Sequence, residues 1–115
     1  MTELSVSVTA HDREGGPCTV IRLVGEADVS TRAMAEVFDA EVAKHPRLLV
    51  VDLSELSFID SSALRVIMVT HRALDHDGSA LALVSPSPAV ARILEFIDIA
   101  HTIPVYASLA EATAG

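Results

Sequence analysis

Apolar and polar residues alternate with period two over Ser5-Val6-Ser7-Val8-Thr9-Ala10, which predicts a half-buried strand, and Gly15-Gly16-Pro17 marks the turn after it. The β-branched run Thr19 to Val24 predicts a second strand ending at Gly25, so the two read as a hairpin. Beyond Gly25-Glu26-Ala27-Asp28 the period changes. Met34, Val37, Phe38 and Val42 recur three and four apart, the stripe of a helix capped by Ser30 or Asp28 and stopping near His45-Pro46. Arg47 to Leu53 is a continuous apolar run, as expected of a central strand buried on both faces.

A polar stretch, Ser54 to Asp60, reads as a loop leading to a helix from Ser61 or Ser62 to His76, with Leu64, Ile67, Met68, His71 and Leu74 inward and Asp77-Gly78 as its stop. Ala80 to Val84 predicts a short apolar strand. Ser87 and Pro88 form a cap and first-turn pair for a helix with Val90, Ile93, Leu94 and Ile97 inward. Ile103 to Tyr106 suits an edge strand because Pro104 cannot donate to a central ladder, and Ser108-Leu109-Ala110-Glu111 fits a capping box. The order β-β-α-β-α-β-α-β-α predicts an α/β fold. Its mostly parallel central sheet has about five strands, an antiparallel edge strand and about four helices.

Composition narrows what such a fold does. The chain has 115 residues, half of them hydrophobic, enough apolar content for one core, and it is read as one domain over residues 1–115. Its formal charge of -8 argues against nucleic-acid or anionic-membrane partners, whose binding depends on Lys and Arg neutralising phosphates. Mean hydropathy is +0.44, yet no apolar run reaches the roughly 18 residues of a membrane helix. With one cysteine, Cys18, and no secretory pattern at Met1 to Ser5, a cytoplasmic setting is expected.

In open α/β sheets chemistry gathers where strands end at their carboxyl edge and helices begin. That edge is expected to carry Glu26, Asp28, Asp52, Asp60, Ser61 and Ser62. Asp60-Ser61-Ser62 can cap the next helix while leaving a hydroxyl exposed, and a purely structural cap is the simplest reading of these residue types. Val66, Val69 and Ala73, with Arg65 and Arg72 close by, form a second apolar row on that helix. Such a row suits either deeper burial or a docking surface.

The stretch Val50-Val51-Asp52-Leu53-Ser54-Glu55-Leu56-Ser57-Phe58-Ile59-Asp60-Ser61-Ser62-Ala63-Leu64 resembles the signature of the STAS family, the anti-sigma factor antagonists of bacteria. Gly25-Glu26-Ala27-Asp28 resembles the family's Gly-Glu-Leu-Asp turn, and Ser87-Pro88-Ala89-Val90 with Arg92 resembles the opening of its third helix. The resemblance implies a regulatory switch with no catalytic residues and no cofactor. The unmodified domain would bind an anti-sigma factor serine kinase and release a sigma factor; phosphorylation of Ser61, or of its neighbour Ser62, would end binding, and a serine phosphatase would reset it. The partner face it implies comprises Glu26, Asp28, Ser30, Asp60, Ser61, Ser62, Ala63, Leu64, Arg65, Val66 and Val69, on a monomer or weak dimer. Ala63 departs from the family's usual Gly, and its extra methyl is expected to bear on how closely a kinase approaches.

Three other readings compete. STAS domains also serve as scaffolds or interaction subunits of stress-signalling and transport complexes, without a working phospho-switch. A receiver-like phosphoacceptor at Asp52 matches Leu49 to Leu53, but the first strand lacks an acidic pair and Lys44 precedes the strand; Asp52 is expected to be structural, at the strand end. A serine hydrolase would need a Gly-x-Ser-x-Gly elbow, which Ile59 to Ala63 does not supply. His71 and His76, five apart, do not make a helical metal pair, and no metal is expected.

Overall fold

In the computed structural model, which describes residues 4–13, 16–27 and 32–113, the alternating N-terminal segment forms β1 (Ser5–Arg13), paired antiparallel with β2 (Gly16–Ala27). Then follow α1 (Arg32–Val42), β3 (Leu48–Ile59), α2 (Ser61–His76), β4 (Ala80–Val84), α3 (Pro88–Phe96), a 3-10 turn at Ile99–His101, β5 (Val105–Tyr106) and α4 (Leu109–Thr113). The sheet order is β1-β2-β3-β4-β5, with β2 to β5 parallel. Consecutive order and right-handed crossovers together send every crossover helix to the same face. Accordingly Met34 and Phe38 of α1, Ala63, Ile67 and Leu74 of α2, and Val90 and Leu94 of α3 share one buried cluster with Ile21, Leu23, Leu49, Val51, Leu53, Leu81 and Leu83. The opposite phase of the strands, Cys18, Val20, Val50 and Val84, packs against Leu109 and Ala112, so α4 covers part of the other face.

β3 corrects the expectation of a loop after Leu53. The strand continues to Ile59, and Leu53, Leu56 and Ile59 are all buried, a spacing of three that is not a strand period. The register explains it: Arg22 pairs with Asp52 and Val24 with Glu55, then Gly25 with Leu56 and Glu26 with Phe58, so β3 carries an extra residue at each of two bulges. Each bulge resets the phase by one residue and returns the next apolar side chain to the core. The extra residues are held by polar contacts. Asp52 Oδ1 accepts the Ser54 amide at 2.9 Å, Ser57 Oγ donates to the Gly25 carbonyl at 3.0 Å, and Arg22 meets Glu55 at 2.6 Å. Gly25 has φ 105°, a backbone that a side chain would strain, so β2 passes through this glycine rather than ending there.

The helices differ from expectation in rotation more than in extent. On α2 the fully buried line is Ala63, Ile67, Thr70 and Leu74, whereas Leu64, Met68 and His71 are half-buried. Thr70 is accommodated because its Oγ1 donates to the Val66 carbonyl at 2.8 Å. On α3 Val90 and Leu94 are buried, but Ile97, expected inward, is 44% exposed, since the helix ends at Phe96 and the chain turns at Asp98 with φ 55°. Ser87 caps α3 and donates its hydroxyl to the Leu56 carbonyl at 2.6 Å, tying α3 to the bulged half of β3. At α4, Ser108 Oγ accepts the Glu111 amide as expected of a capping box, while Glu111 Oε2 accepts the amide of Ala107, one residue before the cap, in place of that of Ser108.

Candidate functional site

The two bulges carry β3 well past the end of its pairing with β4 at Asp52–Val84, so its last residues and the start of α2 project at the carboxyl edge beside the end of β2. Asp60 is the hinge between them. It is half-buried and extended (φ -103°, ψ -179°), and its Oδ1 accepts the Ala63 amide at 3.0 Å, satisfying one of the helix's unpaired N-terminal donors. Ala63 itself is fully buried in the core. Between these two anchored residues, Ser61 and Ser62 occupy the first helical positions and are both exposed.

Successive helical residues are about 100° apart, so the two hydroxyls head different flanks of α2. Ser62 stands above Val66, Val69 and Ala73; Ser61 lies on the side of Arg65 and Arg72. Val69 is 50% exposed, Arg65 is exposed, and Val66, Leu64 and Ala73 are half-buried, with Val66 and Leu64 packed against the core. The second apolar row therefore divides, with Val66 supporting the fold and Val69 facing solvent. Glu26 is half-buried and pairs in register with Phe58, which places a carboxylate and an aromatic ring next to the Asp60 turn. Asp28 and Ser30 lie outside the described residues.

Phe58 is the residue that sequence reasoning missed. Its ring is 44% exposed although it sits between the core residues Leu56 and Ile59, because the second bulge turns it outward. Read as a loop residue, it gave no signal of facing. Ala63 also changes meaning: its methyl is directed into the core and does not form part of the exposed surface.

A nucleophilic serine needs a base within hydrogen-bond reach. His71 and His76 lie 10 and 15 residues along α2 from Ser61, about 15 Å and 22 Å of helix rise, and His45 is 3.5 Å from Asp77 at the far end of that helix. Asp52 lies seven residues before the end of β3, in the middle of the strand, with its carboxylate engaged by Ser54; the expectation of a strand-end position is corrected. The site consists of exposed hydroxyl groups at a helix N-terminus, flanked by carboxylates and two exposed apolar side chains.

The STAS domain model matches residues 9–112, and the chain belongs to that family. It is similar to an anti-sigma F factor antagonist of Paenibacillus polymyxa, 29% identical over 89 residues and 76% of each chain. A second relative is the anti-sigma-F factor antagonist RsfB of Mycobacterium tuberculosis, 27% identical over 112 residues, 96% of this chain and 89% of the relative. Among solved structures, an anti-sigma factor antagonist from Mycobacterium paratuberculosis superposes with a TM-score of 0.80 at 29% identity, covering 96% of this chain and 92% of that one. No helix among the described residues is long and apolar enough to cross a membrane.

Proposed function

We propose that this chain is an anti-sigma factor antagonist: unmodified, it binds an anti-sigma factor serine kinase and so frees a sigma factor, and phosphorylation of Ser61 ends the interaction until a serine phosphatase restores it. The observation that carries the reading is the exposed Ser61-Ser62 pair, presented between the capping Asp60 and the buried Ala63. The names of its relatives supply the class of partner. Phe58 joins the expected face as an apolar contact beside Val69, with Glu26, Arg65 and Asp60 as its charged members.

A phosphate on Ser61 adds about -1.5 to -2 charges and three acceptor oxygens. At the N-terminus of a 16-residue helix that charge is favoured by on the order of 0.3 to 1 kcal/mol, so the domain stays folded. Against a docked partner the same group is bulky, and it raises the negative charge already contributed by Asp60 and Glu26. Binding is lost while the fold is kept.

The test is incubation with ATP and the anti-sigma kinases of the same genome, with the phosphosite located by mass spectrometry in wild type, Ser61→Ala and Ser62→Ala. Transfer abolished by Ser61→Ala alone is the expected result. Transfer lost only in Ser62→Ala would move the acceptor to Ser62. Binding without transfer from any kinase would favour a scaffold or constitutive partner.

A further inference from the structure

β1 forms one edge of the sheet and pairs with β2 alone among the described strands, in an unbroken register from Ser5↔Val24 to Arg13↔Gly16. Edge strands of soluble proteins are ordinarily blunted by a lysine, a proline, a bulge or an inward charge. Residues 4–10, Leu-Ser-Val-Ser-Val-Thr-Ala, carry none of these, on a chain whose formal charge is -8. The charged residues of β1, Asp12 and Arg13, fall at its far end, and the stretch 4–10 is left neutral. Val8 on it is 41% exposed, and Ser5, Ser7, Thr9 and Ala10 are exposed as well.

The sequence of this edge is complementary to itself. Centring two antiparallel copies on Ser7 sets Ser7 opposite Ser7, Ser5 opposite Thr9, Val6 opposite Val8 and Leu4 opposite Ala10 in the second copy. Every apolar residue then meets an apolar residue, on the face where Leu4 and Val6 pack against the core, and every hydroxyl meets a hydroxyl on the other face. Apolar β-branched pairs and Ser/Thr pairs are the favourable cross-strand combinations. A two-fold pairing of this kind needs no second surface and closes on itself. We propose that a second copy of this chain adds antiparallel along β1, centred on Ser7, to give a continuous ten-stranded sheet across the dimer. The charge of -8 on each copy opposes association at long range, and salt screens that repulsion, so the dimer tightens as ionic strength rises.

Sedimentation equilibrium from micromolar to millimolar protein, at low and high salt, tests the association, and cysteine cross-linking tests the register. Ser7 is exposed, so Ser7→Lys keeps the fold, as its circular dichroism will show, while bringing two ammonium groups together on the two-fold axis; it is expected to stay monomeric throughout. Ser7→Cys should cross-link under mild oxidation, since directly opposed residues have Cα atoms about 4.5 to 5.5 Å apart. Ser5→Cys and Thr9→Cys should not, because each is displaced from its own copy by four residues, about 13 Å of strand. A wild type that stays monomeric at millimolar concentration in high salt would overturn the proposal. So would a dimer that survives Ser7→Lys, or one that cross-links through position 5 or 9 in place of 7.

Discussion

Asp60 and Ala63 are joined by a 3.0 Å hydrogen bond from the Ala63 amide to the Asp60 carboxylate, and the two residues between them are the exposed serines. One end of this short span is fixed by a cap and the other by burial. The hydroxyls are thereby held at a defined place without being covered.

Replacing Asp60 with Ala removes the cap, and the expected cost is about 1 kcal/mol of stability, read as a lower urea midpoint with unchanged slope. Asp60→Asn keeps an acceptor for the Ala63 amide and should lie within a few tenths of wild type, while removing one of the negative groups beside Ser61. Equal losses in the two variants would mean that the charge of Asp60, and not its capping bond, is what matters.

Ala63→Gly restores the residue usual in the family. Because the methyl is buried and the position is helical, the change should destabilise the fold by about 1 to 2 kcal/mol, from lost burial and added backbone entropy. It should not increase kinase binding or phosphate transfer. A variant that is as stable as wild type and phosphorylated many-fold faster would show that the methyl meets the kinase.

Gly25→Ala tests the bulged edge. At φ 105° a side chain is strained, and a loss of about 1 to 3 kcal/mol is expected from chemical denaturation. Ser57→Ala, which deletes the hydrogen bond to the same carbonyl, should cost about 1 kcal/mol.

Val69→Asp separates docking from folding. The side chain is half in water, so thermal stability should change by no more than about 0.5 kcal/mol, whereas affinity for the anti-sigma partner, measured by calorimetry, should fall at least tenfold. Ser61→Asp should give the same pattern, a folded protein that no longer binds. If either variant bound as wild type does, the α2 face would not be the docking surface.

Much of this architecture is legible along the chain because its causes are local. The cap residues Asp60, Ser87 and Ser108 each satisfy an amide three residues away, so the starts of α2, α3 and α4 follow from short stretches of sequence. The family signature likewise lies in contiguous residues. β3 beyond Leu53 was not legible, because its bulges exist only against β2: a residue is extra only when the partner strand is one shorter, and Leu53, Leu56 and Ile59 mimic no regular period.

The same distinction divides the site. Sequence alone determined that two hydroxyls would stand at a helix start beside a carboxylate, since capping and helix propensity act over a single turn. Tertiary packing decided which way each neighbour faces: Ala63 inward, Phe58 and Val69 outward, Val66 in support of the core. A helix has one set of backbone angles whichever side is buried. Its rotation against the sheet is chosen by the strands that it covers, and those are assembled from residues far apart in the chain.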